Sequence, residues 1–224
     1  MATRSLNLVP RLVIAVDGPA ASGKGTIAKA LARHFGLPHM DTGALYRAVG
    51  LALLRRGGDP TDAAAAEASA RALDLSVLED RALREAATSE AASGVAIHPG
   101  VRRALFDLQR GFAAQPGGAV LDGRDIGTVI APEATAKLFV TASDEVRSRR
   151  RQTELASRGE FKDFADVLAD IRRRDARDSG RDAAPLMQAV DAALLDTSDL
   201  AIDAAVQRAI ALVENRIGAM RERG

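Results

Sequence analysis

The sequence predicts an α/β protein built on a parallel sheet, and three observations carry that prediction. Short, continuously apolar runs recur: LVIAVD at 12–17, AVLD at 119–122 and KLFVT at 137–141. This is the pattern of strands buried on both faces. Stretches with apolar residues at helical spacing lie between them. Several short strands end in aspartate, at 17, 41, 122 and 196. In open α/β sheets ligands gather beyond the carboxyl ends of the strands, so these acids mark the side on which a site is expected.

Taken in order, Met1–Arg11 reads as a loose leader and Leu12–Asp17 as the first strand. Gly18–Gly25 is a glycine-rich loop, and Thr26–Phe35 a helix with Ile27, Ala30 and Leu31 on one face. Leu37–Asp41 is a second strand. Gly43–Arg56 is a helix striped by Leu45, Val49, Ala52 and Leu53, and Gly57-Gly58-Asp59-Pro60 breaks it. Thr61–Leu73 and Leu78–Ser93 are alanine-rich helical patterns with weak stripes, and Leu73–Leu78 between them is a strand candidate. Val101–Phe112 is a clearer helix, bounded by Pro99-Gly100 and Pro116-Gly117-Gly118. Ala119–Asp122 and Lys137–Thr141 are strands. Ser143–Arg158 and Phe161–Asp178 are charged helices joined at Gly159, Ala193–Asp196 a last strand and Asp199–Met220 a closing amphipathic helix.

Composition narrows the classes. The chain has 224 residues, 47% hydrophobic and 27% charged, which suits one packed domain. Lys+Arg is 31 against 30 Asp+Glu, a net charge of +1 that argues against a nucleic-acid-coating protein. Cysteine is zero, which excludes disulfides, thiolate metal sites and a catalytic thiol. Histidine occurs only at 34, 39 and 98, a poor basis for a His-rich metal site. No apolar stretch approaches membrane-spanning length, and the run Leu12–Val16 is too short for a signal peptide. The expectation is a cytoplasmic protein without membrane or nucleic-acid partners, and a monomer. Only four residues are lysine (24, 29, 137 and 162) against 27 arginines, so each lysine draws notice.

The segment Gly18-Pro19-Ala20-Ala21-Ser22-Gly23-Lys24-Gly25-Thr26 follows a strand and opens a helix. That is the context of a P-loop. Its glycines let backbone N–H groups form an anion nest, the helix N-terminus adds partial positive charge, and Lys24 reaches β- and γ-phosphates. The strict pattern has Ser or Thr directly after the lysine; here Gly25 intervenes and Thr26 comes second. The bland alternative is an ordinary glycine-rich turn. A P-loop implies a nucleoside triphosphate without naming the acceptor.

Three further segments bear on the acceptor. In Asp41-Thr42-Gly43-Ala44-Leu45-Tyr46-Arg47, Thr42, Tyr46 and Arg47 rise from the first turns of a helix, and Arg47 can form a bidentate pair with phosphate. The plain reading is an N-cap with a half-buried tyrosine. Asp122-Gly123-Arg124-Asp125-Ile126-Gly127-Thr128 crowds two acids and an arginine at a strand end, or is simply a turn. Arg174, Arg177, Asp178 and Arg181 share a face if their helix continues that far, as an anion site or a solvated charge face. Arg147, Arg150 and Arg151 share another, with Arg149 pointing to solvent.

In this order, GPAASGKGT (18–26), DTGALYR (41–47), DGRDIGT (122–128) and RDARDSGRDAAPL (174–186) resemble the bacterial cytidylate kinases, over most of the chain from Leu12 onward. The resemblance implies a P-loop kinase fold: a five-stranded parallel sheet flanked by helices, a small monophosphate-binding excursion and a short lid. The core would cover about 12–57, 98–142 and 185–220, the excursion about 58–97 and the lid about 143–181. It implies phosphoryl transfer from ATP to CMP or dCMP, with ATP on residues 18–26. Thr42, Tyr46, Arg47 and Arg124 would form the acceptor pocket, with Arg47 and Arg124 near its phosphate. Ser93, Arg102 and Asp125 would read the cytosine edge, and Arg174 and Asp178 would hold the ribose. Arg181 would approach the phosphates, while Arg150 and Arg151 would clamp the triphosphate on closure. Lys24, Arg124, Arg150 and Arg181 are thus the expected catalytic cations. Two departures stand out. Thr42 replaces an expected Ser, and the stretch between Arg47 and Ser93 is shorter than in members that carry a small antiparallel sheet there.

Phosphoryl transfer asks for positioning and charge stabilisation, and a phosphate nucleophile needs no general base. Asp122 is therefore read as orienting an arginine or a metal-bound water. Mg²⁺ is expected to arrive with ATP, near Thr26 and Asp122, rather than in an all-protein cage. The pair Ser143–Asp178, hinged near Ser157-Arg158-Gly159, is the expected lid. Other readings remain: a kinase for AMP, UMP, shikimate or dephospho-coenzyme A, a P-loop regulator without turnover, or a nucleic-acid binder using residues 147–181. That last window holds ten arginines but also seven acids and few aromatics.

Overall fold

A computed structural model describes residues 11–222. The expected leader therefore lies, up to residue 10, outside the described residues. One sheet of five parallel strands has the order β2-β3-β1-β4-β5. The strands are β1 (Leu12–Asp17), β2 (His39–Asp41), β3 (Gly118–Gly123), β4 (Ala136–Thr141) and β5 (Ala193–Asp196). β1 is central, with Leu12–Asp17 in register with Gly118–Gly123 on one side and Ile14–Asp17 with Ala136–Phe139 on the other.

The apolar strands are explained by burial on both faces. Ile14 and Val16, with Val120, Leu138 and Val140, meet Ile27 and Leu31 of α1 (Lys24–Phe35) and Ala209 and Val213 of α8 (Ile202–Arg221). Val13 and Ala15, with Ala119 and Leu121, face the other way, onto Ile126, Ile130 and Ala113 of α5 (Pro99–Ala114). Each buried Val, Leu or Ile among them contributes about 1.5–3 kcal/mol.

Beside the sheet, α2 (Thr42–Arg55), α3 (Ala63–Arg71) and α4 (Ala86–Val95) form a helical layer with α5. Its weak stripes have a structural cause: small residues bring backbones together. A Cβ at Gly50 of α2 would lie 2.9 Å from Ala92 N of α4. The charged helices are α6 (Asp144–Ala156) and α7 (Phe164–Ser179). They fold over the phosphate loop, where Leu155, Val167 and Ile171 cluster with Ala20.

Several expectations need correction. Leu73–Leu78 is not a strand, and Leu78–Ser93 is not one helix. Short 3₁₀ turns run over Leu75–Glu79 and Arg81–Arg84, and only then does α4 begin. Asp74 accepts from Ser76 N and Asp80 from Ala82 N, both at 2.9 Å. These local carboxylate–amide bonds compete with a ladder and with a continuous helix. The link between α6 and α7 is longer than one glycine, spanning 157–163. α7 ends at Ser179, so Arg181 lies beyond the helix rather than on its face.

Candidate active site

The strand β1 ends at Asp17, and the next residue is pressed against a neighbouring strand: a Cβ on Gly18 would collide with the carbonyl of Val140. The chain then turns through left-handed conformations at Ala21 (φ 58°) and Gly23 (φ 90°) into α1. The carbonyls of this loop are drawn outward. Ala20 O accepts from Arg147 Nη1 at 3.3 Å, and Ser22 O from Thr197 Oγ1 at 3.0 Å and Arg150 Nη1 at 3.4 Å. The loop amides and the start of α1 are what remain for an anion. Lys24 folds back over the loop, its Nζ 3.2 Å from Pro19 O. Burial lowers the Lys24 ammonium to about 7; the Arg124 charge adds to that, while Asp122, Asp41 and Asp178 oppose it.

Beyond β2 and β3 lies the other wall. Asp41 caps α2, accepting from Ala44 N at 3.1 Å, and pairs with Arg47 Nη2 at 2.7 Å. Burial works to raise the Asp41 carboxyl, but the Arg47 guanidinium outweighs it and holds the group below its usual range. Thr42 is buried and donates to Asp122 O at 2.8 Å, tying α2 to the end of β3. The Asp122 carboxylate takes His39 Nε2 at 2.7 Å, and its other oxygen lies 3.7 Å from where a Cβ on Gly25 would stand. That carboxylate thus stands beside the phosphate loop.

Arginines and acids interlock in the rest of the wall. Asp178 receives Arg124 Nε at 2.8 Å on one oxygen and Arg181 Nη2 on the other. Burial raises and the two guanidiniums lower the Asp178 carboxyl, with a net fall. Asp125 is buried and bonded to Arg102 Nη2, and Arg102 lies over the Tyr46 ring at 5.8 Å. For Asp125 burial wins over the arginines, and its carboxyl is raised. Ser93 Oγ, Arg174 Nε and Arg181 Nε are buried without a partner in the described structure. Such groups are what a polar ligand would satisfy.

All of this surrounds one cleft of about 910 Å³. Its lining brings together Ala20, Ala21, Gly23, Lys24, Gly25 and Thr26 with Thr42, Tyr46, Arg47, Ser93, Arg102, Arg124, Asp125, Arg151, Arg174, Asp178 and Arg181, plus Asp122. Gly18, Pro19, Ser22 and Arg150 are not in the lining. Arg150 is the main surprise. Rather than facing the cleft, its guanidinium binds Thr197 Oγ1 at 2.9 Å and Thr197 O at 2.7 Å, bracing the phosphate loop from outside. Arg147 is buried against Asp144 and Asp175 and does not share an exposed face with Arg151. The cleft also holds Lys29, noted as a rare lysine, and Arg158, expected at the hinge, together with Asp41, Arg81, Arg84 and Glu154, which no site expectation included. Asp41 carried a signal, as a strand-end acid; Arg81 and Arg84 had none in a chain so rich in arginine. Among the described residues no group of three or more His, Cys, Asp or Glu could hold a metal. No helix among them is long and apolar enough to cross a membrane.

Comparison with known proteins shows the family. A sequence model of the family described as cytidylate kinase matches residues 14–215. The chain is 63% identical to the cytidylate kinase of Xanthobacter autotrophicus over 205 residues, 92% of this chain and 98% of that protein. It is 60% identical to that of Caulobacter vibrioides over 203 residues, 91% and 95% of the two chains. For Methylocella silvestris the figures are 57% over 210 residues, 94% and 97%. Coverage this complete leaves no room in those relatives for a long insertion that this chain lacks. Among solved structures, a gluconokinase from Sinorhizobium meliloti shares the fold with a TM-score of 0.55 at 15% identity, covering 95% of this chain and 97% of that one. An uncharacterized protein from Eubacterium ventriosum does so with a TM-score of 0.54 at 14% identity, covering 91% and 99%. With the family model spanning residues 14–215 and relatives matched nearly end to end, the chain belongs to the cytidylate kinase family.

Proposed function

We propose that the chain transfers the γ-phosphoryl group of ATP to CMP or dCMP, giving ADP and CDP or dCDP. The observation that carries this reading is the single cleft in which a phosphate loop faces two acid–arginine clusters, Asp178 with Arg124 and Arg181, and Asp125 with Arg102.

An oxygen of the acceptor phosphate attacks the γ-phosphorus in line, the bond to the β–γ bridging oxygen breaks, and ADP leaves. The acceptor phosphate is already a nucleophile, so the residues position and neutralise rather than accept a proton. Lys24 and the loop amides bind the β- and γ-phosphates. Arg47 and Arg124 fix the acceptor phosphate, with Thr42 and Tyr46 shaping the pocket and Arg181 approaching the transferring group. Asp125 accepts from the cytosine N4 amine, Arg102 donates to N3 and O2, and Ser93 offers its free hydroxyl. Arg174 and Asp178 hold the sugar. Arg151 meets the triphosphate from the lid side, while Arg150 supports the loop. One carboxylate, Asp122, and the exposed Thr26 hydroxyl suit a Mg²⁺ ion that keeps most of its waters. When bound with ATP, the ion supplies further neutralisation of phosphate charge.

The test is ADP release from ATP·Mg²⁺ with CMP, dCMP, UMP, AMP and shikimate as acceptors. Rapid turnover with CMP and dCMP and little with the others is expected. Preference for another acceptor would overturn the roles given to Ser93, Arg102 and Asp125 while keeping a phosphate-loop kinase. No turnover with any acceptor would overturn the reading as an enzyme.

A further inference from the structure

Of the strand-end aspartates 17, 41, 122 and 196, Asp17 and Asp196 lie outside the cleft and the proposed mechanism, and of these two only Asp17 is buried. It is only 4% exposed and sits one residue before the phosphate loop. Its two oxygens are both engaged, and by adjacent amides: Oδ1 accepts from Ile126 N at 2.8 Å and Oδ2 from Gly127 N at 2.7 Å. These amides open a tight π-type turn, Ile126–Ile130, that directly follows Asp125. The turn closes on Asp125 itself, whose carbonyl accepts from Val129 N at 2.9 Å and Ile130 N at 3.1 Å.

The Ile126 amide belongs to the same planar peptide unit as the Asp125 carbonyl. Fixing that amide anchors the Asp125 Cα, which lies in the same plane, and so the point from which its side chain leaves the backbone. We infer that Asp17 is a positioning residue for base selection: it splints the Asp125–Ile126 peptide and thereby aims the Asp125 carboxylate at Arg102 and the base. This rests on the proposed role of Asp125 in reading cytosine. Asp17 does not line the cleft, so its influence passes through the backbone of the turn.

The arrangement is built for a carboxylate. Two neighbouring N–H donors need two acceptors, and an amide in place of the carboxylate would turn an N–H toward one of them. The far side is equally tight. A Cβ on Gly127 would stand 3.3 Å from Asp17 Oδ2 and 3.1 Å from Lys137 Cδ. Burial pushes the Asp17 carboxyl up to about 7 against the pull of the two amides; among nearby charges Asp125 also raises it and Lys24 lowers it. The cost of burying this acid is offset here by its two amide bonds.

The experiment compares kcat/KM for CMP and UMP, and ATP affinity by calorimetry, in the full chain and its Asp17→Asn, Gly127→Ala, Asp125→Asn and Asp17→Asn/Asp125→Asn variants. Asp17→Asn should lower the CMP/UMP ratio by roughly tenfold or more, as a small misplacement of a recognition group does, with ATP affinity changed far less. Gly127→Ala should lower the ratio in the same direction, because it displaces the same bonds from the turn side. In the Asp125→Asn background Asp17→Asn should produce no further loss of selectivity, since the residues act in series. A ratio unchanged in Asp17→Asn, or a fall of the same size in the Asp125→Asn background, would overturn the inference. If Asp17→Asn fails to fold, an unchanged ratio in Gly127→Ala overturns it. A wild-type chain with no preference for CMP is a different failure: it removes the base-reading role of Asp125 first, and this inference with it.

Discussion

Asp178 Oδ2 and Arg124 Nε meet at 2.8 Å although 54 residues of chain separate them, joining the last turn of α7 to the segment after β3. Because the other Asp178 oxygen holds Arg181, one carboxylate sets the position of two guanidiniums. Its side chain is 5% exposed, so the bonds are made where water competes poorly. Asp178→Asn keeps the shape but removes the charge that both arginines share. We expect KM for CMP and for dCMP to rise together by roughly tenfold or more, the equivalent of one charge-assisted hydrogen bond, and kcat to fall as Arg124 loses its aim. Steady-state kinetics with both acceptors checks this. A change confined to CMP would point to a contact with the 2′-hydroxyl alone.

Asp125 and Arg102 hold each other in the cleft, and in the proposed reading base selection follows from their hydrogen-bond polarity. Cytosine presents an N4 donor and N3 and O2 acceptors; uracil reverses the pattern at two of these positions. A site built to pair with one pattern rejects the other through its unpaired buried groups, by about 10⁴ at the upper end. Asp125→Asn exchanges an acceptor for a mixed donor and acceptor. The expected outcome is loss of most of the CMP preference, read as the ratio of kcat/KM for CMP and UMP. An unchanged ratio would remove Asp125 from base recognition.

Lys24 gives a pH dependence with a definite sign. Burial, with help from Arg124, lowers its ammonium to about 7, so the empty site is charged below that pH and loses the charge above it. Nucleotide phosphates favour the charged form, so binding ATP should take up a proton near neutrality, and the contribution of Lys24 should weaken as pH rises through about 7. In Lys24→Arg the cation persists over the whole range. Calorimetric ATP affinity, compared between the two proteins so that the titration of ATP itself cancels, should diverge above pH 7 with the wild type weakening. Lys24→Ala should lower kcat by about 10² or more, the usual loss of a transition-state charge contact.

How far the sequence alone reaches is seen in particular elements. β1, β3 and β4 are legible because both faces are buried, so the requirement for apolar residues is local to each strand. The phosphate loop is legible because its conformation is dictated by its own glycines and by the helix that follows. The segment 73–93 is not, since Asp74 and Asp80 turn the backbone through bonds of their own and alanine-rich helices pack by closeness rather than by stripes. Arg150 could not be placed from spacing. It shares a helix with Arg147 and Arg151, but its direction is decided by Thr197, 47 residues away. Likewise Asp17 reads as one acid among several until the fold brings the turn at 126–127 onto it, 109 and 110 residues later in the chain.

The same long-range logic joins the segment after α3 to α6 and α7. Arg177 Nη2 of α7 pairs with Glu90 Oε1 of α4 at 3.1 Å, Arg158 donates to Arg84 O, and Ala86 packs against the Leu155, Val167 and Ile171 cluster. We propose that these contacts make closure over the acceptor and closure over the triphosphate move together. The Glu90 side chain is 63% exposed, so the ion pair itself is worth at most about 1 kcal/mol and its loss should leave the melting temperature nearly unchanged. On this proposal the pair acts by keeping the two segments together while water is excluded. Glu90→Ala is expected to raise KM for ATP and for CMP together by up to about fivefold, the factor matching that energy. ATP hydrolysis in the absence of acceptor should rise relative to transfer. Calorimetry for stability, with ADP release measured with and without CMP, separates the two effects. A destabilised chain with unchanged coupling would make the pair a structural brace rather than a link between the two closures.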